Sequence, residues 1–565
     1  MTPNFRKKTE SISKTFGSLM VYGIPRAILL IFIILPLATV FYESFTWQGN
    51  ITLQHYANFF GDPFIWRCIS NSLLVAMATL LASAALGVPM AYILTRYDIP
   101  YRRLWRTLAT LALITPPYVG ALAFKFLFGR HGTINLLLMK YFGLRTPINF
   151  IYGSHGIVLI TTLHLYPLVM RYVMASLSRL APSMEEAAED LGAKGFYLFR
   201  TVTLPLMMPG LAAGSLLVFI WAFADLGTPL IIGKYDLIAP QAFFGVTQTI
   251  IEEEVRLGIV ASVVMVAFSA IILLALGKYV GLKQYAVLTA GAPQKALIKH
   301  VSGFKRYAAL AFCIVVTAFS LLPHIGILIG SFGKIWSFTP LPTEYTLDNF
   351  KTILIDVPMF LKNSFLYCTL AMLLDIVLGS AIAYDLIRKQ SPDRNILDAM
   401  SMLSFALPGV AVAIGYIRAF RNPIPFTDFK LLSTWMIIVF SLSMRRLPYA
   451  VQASRAALQE IHVSLEEASM DLGASRFQTF LRITLPLMAT NTIVGGILVF
   501  LNSISELSTS WLLSLPGKGW EPMSVGVMIY AQTGVFGQAA AMGTILLVIG
   551  TICILTMDKL GGRMT

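Results

Sequence analysis

Charged residues are scarce in this sequence. Of its 565 residues only 13% are charged and 56% are hydrophobic, whereas a soluble domain carries about 25% charged residues. The apolar residues form long runs, such as 27–41, 71–94 and 261–276, and a bilayer core needs roughly 20 mainly apolar residues per helix. The scarcity of charge therefore argues against a soluble globular protein and predicts an all-α polytopic membrane protein.

Cysteine is rare as well, and a nucleotide-binding loop is missing. The four cysteines, Cys68, Cys313, Cys368 and Cys553, show no CxxC spacing and no close pair, which argues against a disulfide framework or a metal site. No Gly-Lys pair is followed by Ser or Thr, as the phosphate-cradling P-loop requires. We therefore expect a chain that is not itself an enzyme and binds no cofactor, and no metal site is firmly assigned.

The basic residues lie where membrane topology places them. The formal net charge is +15, and the basic clusters occupy 5–8, 95–106, 297–306 and 387–394, in alternate segments between apolar runs. Cytoplasmic loops of membrane proteins collect Lys and Arg, so this charge requires no nucleic-acid partner. The first apolar run lacks a clear small-residue cleavage site, and we expect a retained helix rather than a signal peptide.

Hydropathy predicts twelve spans in two sets of six. The first set is placed near 22–43, 70–94, 105–129, 155–178, 207–232 and 257–279. The second set is placed near 307–331, 362–386, 397–420, 432–455, 488–513 and 537–558. An even number of spans puts both termini on one side of the membrane, and the loop charges make that side the cytoplasm.

The two sets are copies of one unit. Residues 69–96 resemble 361–388, and six spans per copy give both copies the same orientation, which is a parallel repeat. We therefore divide the chain into a first unit at 1–280, a cytoplasmic linker at 281–306 and a second unit at 307–565.

A polar block is also present twice. Residues 183–207 and 464–488 are identical at 15 of 25 positions. Ser183 with Glu186, and Ser464 with Glu467, fit the S-x-x-E capping box that begins a helix. We expect Gly192 and Gly473 to end that helix in the left-handed conformation. The Leu-Pro pairs at 204–205 and 485–486 predict a bend where the next span begins, because proline lacks an amide donor.

The order E-A-A, Gly, Leu-Pro resembles the EAA motif of ABC importer permeases, and only Ser469 in place of an alanine departs from it. The resemblance implies a type I ABC importer permease fold with coupling helices at about 182–205 and 463–486, which dock on the nucleotide-binding subunits. The residues that the resemblance assigns to coupling are Glu186, Ala187, Ala188, Asp190, Gly192, Leu204, Pro205, Glu467, Ala468, Asp471, Gly473, Leu485 and Pro486.

Two permease units in one polypeptide look most like the fused ferric-iron type. This implies a bacterial inner-membrane permease that takes its cargo from a periplasmic or extracellular binding protein and works by alternating access. It also implies a homodimeric ABC ATPase as partner, which binds the ATP and Mg. Similar permeases import thiamine, phosphonates, polyamines or phosphorylated compounds, so an organic cargo stays open. An ion-coupled secondary transporter and a membrane scaffold or sensor are further alternatives.

Five ionisable residues in apolar segments are candidates for the transport pathway. Asp225 and Glu506 occupy matching positions and either offer oxygen ligands to a hard cation or cap a broken helix. Lys125 and Arg418 either guide an anion or extend to the membrane interface. His164 has no copy in the second unit, and a lone histidine of this kind is more often a structural donor than a ligand.

Overall fold

The computed structural model describes residues 23–178, 182–248, 252–280, 298–336, 338–389, 391–423, 427–514 and 518–561. Within these ranges the chain is helical apart from two short antiparallel pairs of strands. Strand β1 (Thr46–Trp47) pairs with β2 (Asn50–Ile51), and β3 (Gly333–Ile335) pairs with β4 (Glu344–Tyr345). The predicted all-α class is therefore confirmed.

Twelve helices lie before the linker and eleven after it in the described part of the chain. The first group is α1 (Ile24–Ser44), α2 (Gln54–Gly61), α3 (Pro63–Arg96), α4 (Arg102–Leu111), α5 (Pro117–Phe128), α6 (Thr133–Phe142), α7 (Ser154–Leu177), α8 (Pro182–Asp190), α9 (Gly195–Phe223), α10 (Gly227–Ile232), α11 (Ile238–Thr247) and α12 (Glu252–Val280). The second group is α13 (Gly303–Phe332), α14 (Asp348–Lys351), α15 (Met359–Lys389), α16 (Arg394–Ala406), α17 (Gly409–Ala419), α18 (Met436–Glu460), α19 (Val463–Asp471), α20 (Arg476–Ile504), α21 (Ser508–Leu513), α22 (Met523–Gln532) and α23 (Phe536–Gly561).

In the described part of the chain, fewer than the twelve predicted spans appear as single long apolar helices. Among the described residues, nine helices are long and apolar enough to cross a membrane, or ten if one bent pair counts as a span. The span predicted at 105–129 is divided into α4 and α5, and the one at 397–420 is the bent pair α16 and α17, with an angle of 114°. The span at 432–455 does form a helix, α18, but its arginines make it more polar.

Prolines explain where the two divided spans break. Pro116 and Pro408 each lie directly before a new helix, with extended ψ angles of 147° and 138°. A proline disfavours the helical conformation of the residue before it and cannot donate an amide hydrogen bond. Hydropathy registers the apolar residues on both sides of such a break and therefore predicts one continuous span.

The described residues divide into two compact units that do not coincide with the sequence repeats. One unit combines the residues up to Leu53 with Met359–Ser524 and those from Ile549 onward. The other combines Gln54–Pro358 with Val525–Val548. The first helix of each repeat therefore belongs to a unit formed mainly by the other repeat.

In the first of these units, α1 packs against α17. The Tyr416 hydroxyl donates to the carbonyl oxygen of Phe32 over 2.8 Å. At its beginning α1 is held by charge, because Arg26 Nη2 lies 2.6 Å from the buried Asp385 carboxylate and Arg26 Nε lies 2.7 Å from Asp393. The arginine holds the pKa of Asp393 below its usual range, mainly by hydrogen bonding.

In each unit one serine fixes the first part of the helix that forms the second span, α3 or α15 (the second-span helices). This part of the helix lies away from the polar block. Ser72 Oγ accepts from the Ile238 amide over 2.9 Å, and Ser364 Oγ accepts from the Met523 amide over 2.7 Å. Both amides open a helix, α11 or α22, and an amide in the first turn has no partner inside its own helix. The two serines belong to the Asn-Ser pairs at 71–72 and 363–364 of the matched segments, so both repeats make the same contact.

Glycine permits close packing between α3 and α7. A Cβ atom built on Gly87 would lie 2.8 Å from the carbonyl oxygen of Tyr166 and 2.9 Å from Val169 Cβ. Gly379 has the same role between α15 and α18, where a Cβ would lie 2.8 Å from Ala450 Cβ. Distances this short leave no room for a methyl group.

We expect Gly87→Ala to lower the stability of the protein by about 1–3 kcal/mol, because the added methyl group overpacks this helix contact. The measurement is the thermal unfolding midpoint of the purified protein in detergent. Gly61→Ala is the matched control, since a Cβ at Gly61 meets no atom within 4 Å. Equal midpoints for the two variants would contradict the close-packing interpretation.

Candidate functional site

The two polar blocks form helices that end in the same way. Gly192 and Gly473 have φ angles of +89° and +90°, as predicted. The Ala193 amide donates to the Ala188 carbonyl over 2.9 Å, and the Ala474 amide donates to the Ser469 carbonyl over 3.1 Å. A left-handed residue followed by an amide that donates to the carbonyl five residues earlier is the Schellman motif, which satisfies carbonyls at a helix end.

The beginnings of these helices differ from the predicted capping boxes. Helix α8 begins at Pro182, so Ser183 lies inside it, and the Ser183 side chain is outside the described residues. Helix α19 begins at Val463, and the ring of His462 accepts from the Ser464 amide over 3.4 Å. The box predicted at Ser464 and Glu467 is therefore wrong, because the helix starts two residues earlier than the sequence pattern indicates.

A capping box does occur, but one helix later. Ser475 Oγ accepts from the Gln478 amide over 3.3 Å, and Gln478 Oε1 accepts from the Ser475 amide over 2.9 Å. This reciprocal pair starts α20, which follows α19 after a short turn. In the first repeat Lys194 occupies this position and makes no such bond.

The first glutamate of each block is buried. Arg96, at the end of α3, places Nη2 3.3 Å from Glu185 Oε1, and both side chains are at most 1% exposed. Thr203 Oγ1 donates to the same carboxylate oxygen over 3.0 Å. The pair connects α8 to the second-span helix and to α9 at once, in a place that excludes water.

The second repeat has the same three-residue contact. Arg388 Nε lies 3.1 Å from Glu466 Oε1, and Thr484 Oγ1 donates to that oxygen over 3.1 Å. Arg388 Nη2 also donates to the carbonyls of Leu458 and Ile461, which close the end of α18. We call these contacts the first and second buried anchors (Arg96–Glu185–Thr203 and Arg388–Glu466–Thr484).

Aromatic rings support each anchor. Tyr92 lies edge-on to Phe199 with ring centroids 5.7 Å apart, and Tyr384 meets Phe480 at 5.0 Å. The phenylalanines begin π-helical turns at Phe199–Thr203 and Phe480–Thr484. Each aromatic contact therefore adds a second connection between the second-span helix and the segment that carries the anchor threonine.

The Leu-Pro pairs, where a bend was predicted, do not interrupt a helix. Helix α9 runs without a break from Gly195 to Phe223, and Pro205 lies in its interior just after the π turn. The Leu204 amide donates to the carbonyl of Phe199. A π turn shifts the hydrogen bonding by one residue, which accommodates the missing amide donor of Pro205 without ending the helix.

The second glutamate of each block points outward, together with the residues at the end of the helix. Glu186, Asp190, Leu191, Glu467, Asp471 and Leu472 are all exposed, and the two leucines are each 90% exposed. Of the other residues assigned to coupling, Ala187, Ala468, Gly192, Gly473, Pro205 and Pro486 are exposed, and Ala188, Leu204 and Leu485 are half-buried. Each block therefore has an inner face that anchors it and an outer face that is exposed.

Lys299, in the described end of the linker (298–306), contacts the first block. Lys299 Nζ lies 2.5 Å from Glu189 Oε1, and the Lys299 amide donates to the carbonyl of Arg96 over 2.7 Å. In the second block the residue that corresponds to Glu189 is Met470. The two blocks are thus alike in their anchors and different in this additional contact.

The pathway candidate Glu506 lies in the break between α20 and α21. Arg445 Nη1 is 2.5 Å from Glu506 Oε1. The amides of Thr509 and Ser510 donate to the same carboxylate over 3.1 to 3.2 Å. Glu506 therefore closes the start of α21, and an arginine neutralises its charge.

Asp225 lies in the corresponding break of the first repeat. Its Oδ1 accepts from the Thr228 amide over 3.3 Å, in the first turn of α10. Its buried Oδ2 has no hydrogen-bond partner among the described residues. The two carboxylates thus share a capping position, while their charge environments differ.

The other three candidates have ordinary structural contacts. His164 Nδ1 is 3.0 Å from the carbonyl of Ala112, at the break before α5. Lys125 Nζ lies 5.5 Å from the centroid of the Phe536 ring, and Arg418 Nε lies 3.5 Å from Glu43. Within the described ranges, no group of three or more His, Cys, Asp and Glu side chains could hold a metal ion.

Comparison with known proteins identifies the family. Residues 83–284 and 375–565 each match the binding-protein-dependent transport system inner membrane component. The chain belongs to this family. It is an ABC permease of the bacterial inner membrane, and such permeases work with an ATPase and a substrate-binding protein. Each match covers the larger part of one sequence repeat and includes one polar block.

Three relatives show how far the similarity extends. A ferric transport system permease protein of Actinobacillus pleuropneumoniae is 27% identical over 97% of this chain and 79% of its own length. An Fe(3+)-transport system permease protein of Haemophilus influenzae is 22% identical over 94% of this chain and 97% of its own length. A molybdenum transport system permease protein of Haemophilus influenzae is 33% identical over 32% of this chain and 79% of its own length.

Sequence reasoning missed the anchor residues. Arg96 and Arg388 end the two matched segments 69–96 and 361–388, and the threonines are among the identical positions of the polar block. Their repetition was a usable signal. What the sequence could not show is which of two adjacent glutamates turns inward.

We expect Arg96→Met to lower stability by about 3–5 kcal/mol, because it leaves Glu185 buried without a counter-charge. The double variant Arg96→Met with Glu185→Leu should recover most of that loss, since no unpaired charge remains. Thermal unfolding midpoints of all variants in detergent provide the measurement. Glu186→Leu, at the adjacent exposed position, is the control, and a loss as large as that of Arg96→Met would contradict the anchor.

We expect Asp225→Ala to lower stability by about 0.5–2 kcal/mol, which is the usual cost of a lost helix cap. Asp225→Asn should keep most of the stability and of the transport rate, because an amide oxygen can accept from Thr228 equally well. Unfolding midpoints and uptake in proteoliposomes measure the two quantities. Normal stability with abolished uptake in Asp225→Asn would show instead that transport needs the negative charge.

Proposed function

We propose that this permease is driven by a separate homodimeric ATPase, which binds the outer faces of α8 and α19, and that its cargo is ferric iron. The observation that carries the first part is the matched exposure of the two polar blocks. Family membership supplies the class of machine. The partner's symmetry, the cargo and the orientation in the membrane are proposals.

The outer faces of the two blocks support a homodimeric partner. Identical residues are exposed at equivalent places: Glu186 and Glu467, Ala187 and Ala468, Asp190 and Asp471, and Leu191 and Leu472. A homodimer of the ATPase presents the same binding surface twice, so the permease must offer two equivalent outer faces. An exposed leucine flanked by carboxylates suits a groove with an apolar floor and basic walls.

The buried anchors support the transfer of force. Each block is held to the second-span helix and to the following helix by one carboxylate, so the three elements must move together. Removing one member of such a buried charged contact is costly, which makes the connection stiff. Closure of the ATPase dimer would then move α3 and α15 directly and give alternating access. ATP and Mg belong to the ATPase in this scheme, and the permease itself holds no cofactor.

The same scheme gives the orientation. An ATPase works in the cytoplasm, so α8 and α19 lie on the cytoplasmic side. The described end of the basic linker contacts α8 through Lys299 and Glu189, and loops rich in Lys and Arg are retained in the cytoplasm. We therefore place both termini in the cytoplasm.

The proposal of ferric iron rests on the relatives. Two permeases whose names specify ferric or Fe(3+) transport match nearly the whole chain, with both repeats. The permease named for molybdenum matches about a third of the chain. Imported organic solutes are the alternative cargo, and uptake driven by an ion gradient alone is the alternative mechanism.

The coupling assignment is tested by Glu186→Arg combined with Glu467→Arg. We expect the ATPase to be lost on co-purification and ATP-driven uptake to fall at least about tenfold. The reason is that each block would then present an arginine to the basic walls of its groove, and like charges repel. Glu252→Arg, at an exposed position in the first turn of α12, is the control for an added charge. Undiminished association of the double variant would overturn the assignment.

The cargo is tested separately with unaltered protein. The permease and its ATPase are reconstituted in proteoliposomes with the cognate binding protein, loaded with ferric iron or left empty. We expect only the ferric form to stimulate ATP turnover and to deliver radioactive iron into the lumen. Stimulation by an organic ligand alone would refute ferric iron, and uptake without ATP along a proton or sodium gradient would refute the ABC mechanism.

A further inference from the structure

Helix α4 carries an uncompensated strip of arginines. The strip consists of Arg102 and of Arg103 and Arg106, which follow it by one and four residues. This spacing puts all three on one side of a helix. Arg103 and Arg106 are exposed and Arg102 is half-buried. None of the three forms an ion pair or a side-chain hydrogen bond within the described part of the chain. Three guanidinium groups therefore share one small surface without a counter-charge.

The nearest carboxylate does not neutralise this strip. Asp98 Oδ2 lies 3.0 Å from the ring of His300 in the linker. Burial and then the charge of Arg106 lower the pKa of Arg102, and the opposite effect of Asp98 is smaller. Repulsion among the three arginines is thus part of the structure, and an anion bound from outside would relieve it.

Apolar and aromatic side chains adjoin the arginines. Tyr101 is 76% exposed and Leu104 is 49% exposed. Trp105 donates its ring NH to the carbonyl of Pro100 over 3.1 Å, which fixes the indole beside the strip. Tyrosine and tryptophan collect where a protein meets the headgroup region of a bilayer. A helix with basic residues on one face and Trp and Leu on the other is typical of the membrane interface.

The position of α4 in the fold agrees with an interfacial location. The membrane-crossing helix α3 ends at Arg96, whose guanidinium forms the first buried anchor with α8. Helix α4 starts six residues later, at Arg102. It therefore begins where the chain leaves the bilayer, on the side that carries the coupling helices.

The second repeat lacks this surplus of charge. In α16, Arg394 corresponds to Arg102, but Asn395 replaces Arg103 and Asp398 replaces Arg106. Asp398 in turn is paired with Arg455 over 2.7 Å. The same structural position is thus balanced in one repeat and strongly positive in the other, which provides an internal comparison.

We propose that the arginine strip of α4, formed by Arg102, Arg103 and Arg106, binds the phosphate of an anionic phospholipid headgroup. The guanidinium groups offer planar donors that suit phosphate oxygens, and the exposed Leu104 and Tyr101 lie where acyl chains begin. A soluble phosphate or an acidic protein surface would use the arginines but would leave these two side chains in water. The combination favours a lipid of the leaflet on the coupling-helix side.

The test uses the full-length permease with its ATPase, purified in detergent and titrated with phosphatidylglycerol or, for comparison, phosphatidylcholine. Native mass spectrometry counts the lipids that stay bound. We expect Arg103→Gln combined with Arg106→Gln to bind phosphatidylglycerol at least about tenfold more weakly, since each basic residue near an anionic surface adds to the attraction. Arg394→Gln, in the balanced repeat, should leave phosphatidylglycerol binding unchanged. The binding of phosphatidylcholine should be the same in all variants.

Three results would overturn the proposal. The first is equal retention of phosphatidylglycerol by the wild type and the double variant. The second is displacement of the lipid by inorganic phosphate at equimolar concentration, which would identify a site for free phosphate. The third is loss of the ATPase from the double variant with lipid binding intact, which would assign the strip to the protein partner. None of these results depends on which cargo is transported.

Discussion

One buried carboxylate in each repeat determines how the polar block is held. Glu185 and Glu466 lie in places closed to water, where a charge is tolerated only beside its counter-charge. Arg96 and Arg388 supply that charge from the end of the second-span helix. Because the partners come from different helices, the block cannot tilt or slide without separating them. The exposed glutamates next in sequence are thereby left for a partner protein.

The two repeats keep this anchor but differ in the membrane interior. Both have a carboxylate in a helix break, and both use it to receive backbone amides. Only Glu506 is joined by an arginine, because His164 occupies in the first repeat the position that Arg445 has in the second. Duplication has therefore preserved the mechanical contacts of the chain, whereas the charges along the apolar helices have diverged.

Much of the local structure could be predicted from the sequence. The helix ends at Gly192 and Gly473 follow from the backbone freedom of glycine, and the long apolar runs identify most spans. Proline was less informative, because Pro116 precedes a break while Pro205 is accommodated in a continuous helix. The Arg96–Glu185 contact joins residues 89 positions apart. Such a contact depends on tertiary packing, which neither periodicity nor capping rules report.

The exchange of first helices between compact units affects how a fused permease could have evolved. Helix α17 packs against α1, which is encoded more than 350 residues earlier. A gene fragment that encodes only the second repeat would therefore yield a unit with an uncovered apolar surface. Each repeat supplies its first helix to the unit formed mainly by the other, and fusion of two ancestral genes keeps the two repeats at equal abundance. It also makes the assembly of the two repeats independent of their concentration in the membrane.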